Sequence, residues 1–88
     1  MNQSSNTVQV FDTWVQGKTG TIHFDVMTTD EDTALRLAKT YLASLGEAEA
    51  FITTEECRFC HNEPLAFFSQ TQQQKFTKHG GFILPMPS

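Results

Sequence analysis

The segments Val8-Gln9-Val10-Phe11-Asp12-Thr13-Trp14-Val15, Gln16-Gly17-Lys18-Thr19-Gly20 and Thr21-Ile22-His23-Phe24-Asp25-Val26-Met27 decide the fold. The first and third alternate with period two and are rich in β-branched and aromatic residues, the pattern of strands with two unlike faces. The second carries two glycines and reads as a turn, so the whole is a β-hairpin. A five-residue loop over 16–20 pairs Val15 with Thr21. Thr13 then lies opposite His23, Phe11 opposite Asp25 and Asp12 opposite Phe24. In that register His23 and Asp25 share a polar face with Thr13. Asp12 falls among Val8, Val10, Trp14, Ile22 and Phe24, where a carboxylate needs partners or marks a pocket. Trp14 and the eight phenylalanines read most simply as core.

Outward from the hairpin, Thr28-Thr29-Asp30-Glu31-Asp32 supplies an N-cap and first-turn acids. Ala34, Leu37, Ala38, Tyr41, Leu42 and Leu45 then recur at helical spacing, and Gly46 is a natural stop, which predicts an amphipathic helix over about 30–45. Residues 50–53 form a short strand candidate. Thr53 with Glu56 fits a capping box that opens a helical turn at Cys57. Asn62-Glu63-Pro64 is a second helix start, with Leu65, Phe68, Gln72 and Phe76 as its stripe and Gly80-Gly81 as its end. Phe82-Ile83-Leu84 is a last strand, and Pro85 and Pro87 confine it to an edge. The expected fold is α+β, a two-layer sandwich in the order β-β-α-β-α-β, with the hairpin first and a mixed four-stranded sheet carrying two helices. Residues 1–6 read as a frayed polar tail and 7–88 as a single domain.

Eighty-eight residues suffice for one modest core, with roughly 64% of the unfolded chain's surface buried on folding. Hydrophobic residues at 39% against 18% charged argue against disorder. A net charge of -4 argues against nucleic acid or a polybasic membrane contact. No apolar run is long enough for a membrane span. The first residues have neither the basic nor the apolar region of a signal peptide, so a cytoplasmic location is expected.

The chemistry-bearing motif is Cys57-Arg58-Phe59-Cys60-His61, which holds the chain's two cysteines. C-x-x-C-H is the signature of covalent haem attachment, but that chemistry requires export, and no haem is expected. Two thiolates and an imidazole also suit zinc, with His23, His79, Asp25, water or a second chain completing the sphere. A third reading is a dithiol redox site, with Cys57 attacking from a helix start and Cys60 resolving. Glu55 and Glu56 oppose the thiolate that this requires. A fourth treats both thiols as small buried hydrophobes. His23 beside Asp25 is the kind of pair that orients an imidazole for base catalysis or ligation, or else part of a wet sheet face.

Phe11-Asp12-Thr13-Trp14-Val15, His23-Phe24-Asp25-Val26, Tyr41-Leu42-Ala43-Ser44 followed by Gly46-Glu47, and Glu56-Cys57-Arg58-Phe59-Cys60-His61 together resemble a small bacterial family. That family is known as a domain of unknown function, number twenty twenty-four, and the likeness runs from about Val8 to Leu84. The resemblance implies a compact single-domain α+β fold and an unassigned activity. It also implies that Asp12, His23, Asp25, Cys57, Arg58, Cys60 and His61 stand at the family's motif positions. Trp14 stands where Tyr is usual, and Gly81 replaces an aromatic. The leading expectation is a small cytosolic domain that binds zinc through Cys57, Cys60, His61 and His23, with Asp12, Asp25 and Arg58 as further site candidates. The alternatives are thiol–disulfide exchange, or a non-catalytic module that meets a protein partner or a second copy of itself.

Overall fold

The alternating segments form two antiparallel strands, and the rest of the sheet grows outward from them. The computed structural model describes residues 7–50, 52 and 55–86. Strand β1 (Thr7–Gln16) pairs with β2 (Thr21–Thr28), and helix α1 (Glu31–Ser44) follows. Strand β3 (Cys57–Pro64), a 3-10 turn (Leu65–Phe67), helix α2 (Gln70–His79) and strand β4 (Gly81–Met86) complete the chain. This is the expected α+β fold in the order β-β-α-β-α-β.

The strands lie in the order β3-β1-β2-β4, with the hairpin at the centre. Every pairing is antiparallel, which corrects the expectation of a mixed sheet. The connection through α1 does join strands of like direction, β2 and β3. It joins them across β1, so no parallel ladder forms.

Alternation along the hairpin buries residues on both faces. Phe11, Val15, Phe24 and Val26 pack against Ala34, Ala38 and Leu42 of α1. Phe11 and Phe24 are at most 2% exposed, and such burial contributes about 1.5–3 kcal/mol per side chain. On the opposite face Val8, Val10 and Met27 meet Phe82 of β4, flanked by Leu65, Phe68 and Phe76. α1 begins where expected, with the Asp30 carboxylate accepting from the Thr33 N–H and Glu31 and Asp32 in the first turn.

The second helix begins later than its proline suggests. Pro64 ends β3, and Ser69 caps α2 through a reciprocal capping box with Gln72. Gly80 ends it in the left-handed region at φ 83°. Gly81 lies so close to the Met27 carbonyl and Leu37 that a Cβ there would sit 2.4 and 2.7 Å from them. β4 is an edge strand, which accommodates Pro85.

The expected tail over 1–6 lies outside the described residues. So do Phe51, Thr53 and Thr54, and with them most of the short strand candidate and the Thr53 half of its capping box. Ala50 and Ile52 belong to no strand; the third strand starts at Cys57. Among the described residues no helix is long and apolar enough to cross a membrane.

Candidate functional site

The hairpin's turn sets the register, and the register builds the site. The Gly17 N–H donates to the Gly20 carbonyl at 2.8 Å and closes the loop one residue shorter than expected. Gln16 therefore pairs with Thr21, and every later partner shifts by one. Asp12 lies opposite Asp25, not Phe24, and His23 lies opposite Trp14, not Thr13. A slip of one residue exchanges faces, so the carboxylates, the imidazole and the indole now share the face turned away from α1. The Val8, Val10 and Met27 end of that face is covered by the second apolar cluster. The Asp12, His23 and Asp25 end is half-buried.

His23 Nε2 is 2.6 Å from Asp12 Oδ1, and Trp14 Nε1 donates to Asp12 Oδ2 at 2.9 Å. The Trp14 and His23 rings stack with centroids 3.7 Å apart and planes 11° from parallel. One ligand atom each from Asp12, His23 and Asp25 lies within 4.8 Å of the others. Burial acts to raise the Asp12 carboxyl, but hydrogen bonds with His23, Trp14 and Asp25, together with the charge of His23, outweigh it and hold Asp12 below its ordinary value. Asp25 moves the other way. Burial raises it, as do the hydrogen bond it shares with Asp12 and Asp12's charge, against the opposing charges of His23 and His61. Arg58 lies opposite Asp12 on β3, and its Nε donates to the Glu55 carbonyl at 2.9 Å. Asp12, Trp14, Glu55, Glu56 and Arg58 line an adjoining cavity of about 320 Å³.

The C-x-x-C-H residues are dispersed. Cys57 opens a strand, not a helix, and lies opposite Thr13, fully buried in the core beneath α1. Burial pushes its thiol up, with a smaller push from Glu31, against a lowering hydrogen bond with Thr13. Cys60 is the extra residue of a β-bulge, since Val10 pairs with His61 and Phe11 with Phe59; it is exposed. His61 faces the same side as the trio, and its Nε2 is 2.8 Å from Glu63 Oε2. Both thiols are free. Cys57, Cys60, His61 and His23 are thus not brought together. Among the described residues, the set with three or more neighbouring ligand atoms is Asp12, His23 and Asp25.

Residues 6–86 match the sequence family described as "Domain of unknown function (DUF2024)". The chain belongs to that family. A solved structure, the NMR structure of protein NE1680 from Nitrosomonas europaea, is 36% identical with a TM-score of 0.77, over 93% of this chain and 96% of that one. A search of curated proteins finds no match.

In this DUF2024 domain the register brings Asp12 to the face on which the sequence pattern already pairs His23 with Asp25. Trp14 joins the site from outside the sequence-based candidates. Read as core, Trp14 is 48% exposed, and it works as a plate beneath His23 and a donor to Asp12. Asp12 and Trp14 share a face in the sequence pattern, and the corrected register is what sets Trp14 against His23.

Proposed function

We propose that this domain binds a divalent cation of the zinc class, held by Asp12, His23 and Asp25. The observation that carries this reading is the pair of carboxylates set directly opposite each other with an imidazole alongside. Like charges in that position disfavour folding, and a cation between them removes the penalty. One imidazole and two carboxylates suit zinc and similar ions, and three protein ligands leave a position for water or substrate. Trp14 supports the site from behind, fixing the His23 ring by stacking and one Asp12 oxygen by hydrogen bonding, as residues behind metal ligands commonly do. The cavity beside Asp12, with Arg58 on its wall, is room for a small ligand. We place this activity in the cytosol, and the acidic charge disfavours a nucleic-acid partner.

A second reading rests on the opposed shifts of Asp12 and Asp25. Neighbouring carboxyls driven apart in pKa are a common source of one acid and one base, and His23 would relay the proton.

Metal content by mass spectrometry after chelator-free purification, followed by calorimetric titration with Zn²⁺, tests the first reading. The expected result is one site per chain, lost in Asp25→Asn and in His23→Ala and retained in the Cys57→Ser, Cys60→Ser double variant. Loss in the double variant with retention in Asp25→Asn would return the metal to the thiols. No binding in any form would leave the acid–base reading.

A further inference from the structure

Away from the trio, α1 and α2 flank a second cavity of about 490 Å³, within the usual range for small-molecule sites. Its floor is apolar: Leu37 and Tyr41 of α1, with Phe82 and Ile83 from the start of β4. Its rim is basic. Arg36 lies on α1, and Lys75 and His79 lie one helical turn apart on α2. In a chain of net charge -4 with six lysines and arginines in all, two of those six meet here. None of the three basic side chains has an acidic partner among the described residues; the ion pairs there are those of His23 and His61. The Thr40 and Ser44 hydroxyls on the same wall donate to the Arg36 and Tyr41 carbonyls, so Arg36 and Lys75 are the charged donors that face an anion there.

We infer that this groove binds a small organic acid, its carboxylate held by Arg36 and Lys75 and its apolar body laid over Leu37, Tyr41 and Ile83. The charge selects an anion, because a guanidinium and an ammonium without carboxylate partners are best satisfied by one. The floor selects an apolar body, since a bare inorganic anion would leave it in water. The geometry also accounts for Gly81. Any side chain there would collide with Leu37 and the Met27 carbonyl and displace the part of the floor that β4 supplies.

Octanoate, titrated into the ¹⁵N-labelled protein and followed by amide chemical shifts, is the test. Saturable shifts confined to α1, α2 and the start of β4, with a dissociation constant of about 1 mM or tighter, are expected. The Arg36→Gln, Lys75→Gln double variant should weaken binding about tenfold or more. Both side chains are exposed, so the variant should fold, and its unchanged spectrum away from the groove verifies that. Equal affinity of the variant, equal affinity for 1-octanol, or equal affinity for phosphate would each overturn the inference. So would the absence of saturable shifts with octanoate.

Discussion

The Cys57–His61 segment and the Asp12, His23 and Asp25 group are built from the same sheet and fare oppositely. The first is continuous in sequence and scattered in space: Cys57 lies under α1, Cys60 on a bulge, and His61 on the other face. The second is divided by a turn in sequence and collected in space. The cause is strand geometry. Neighbours along a strand point to opposite faces, whereas partners across a ladder stand about 5 Å apart on one face. A compact motif therefore marks a compact site on a turn or helix start, and loses that meaning on a strand.

The contrast can be broken most severely at adjacent residues. Phe24→Ala should cost about 3–5 kcal/mol in denaturant unfolding, because Phe24 is fully buried beneath α1. Cys57→Ser should cost about 1–3 kcal/mol for placing a hydroxyl in that core. In the same native protein Cys60 should react promptly with a thiol reagent while Cys57 waits for opening; equal rates would contradict the placement of Cys57.

Asp25→Asn, one residue from Phe24, should stabilise the metal-free protein by about 0.5 kcal/mol at neutral pH, by removing a charge opposite Asp12. The pH dependence has a fixed sign. Asp25 is raised in the fold, so between its unfolded and folded pKa values the native state binds more protons, and wild-type stability from this group falls as pH rises. The variant's advantage should therefore be absent below the ordinary carboxylate pKa and grow with pH. An advantage that shrinks with pH would show that the two carboxylates do not repel. Asp12 has the reverse linkage. Its lowered pKa adds stability above the ordinary value, lost as pH falls through the folded one. Least affected should be Cys60→Ser, within about 0.5 kcal/mol of wild type, as an exposed thiol on a bulge.

Much of the fold was legible. The hairpin, α1 with its Asp30 cap, the Gly80 stop and the edge strand with Pro85 all follow from local chemistry. The site was legible in its members but not in its grouping. A loop of four residues or five depends on the Gly17–Gly20 hydrogen bond, which composition does not specify, and that single residue decides whether Asp12 meets Phe24 or Asp25. β3 was missed for a related reason. Cys57-Arg58-Phe59-Cys60-His61-Asn62-Glu63-Pro64 carries few strand formers and no clean alternation, because the sheet buries little of it beyond Cys57. Its pairing with β1, and the bulge at Cys60, are set by the partner strand.

The order β3-β1-β2-β4 also ranks the protein's parts by persistence. Local opening starts at sheet borders, where a strand is held on one side only. Asp12, His23 and Asp25 sit on the two strands held on both sides, so their amides should be among the last to exchange with solvent deuterium. Ligand groups on such strands keep their spacing while the borders breathe, so the trio should meet an incoming ligand already arranged, without first having to be ordered.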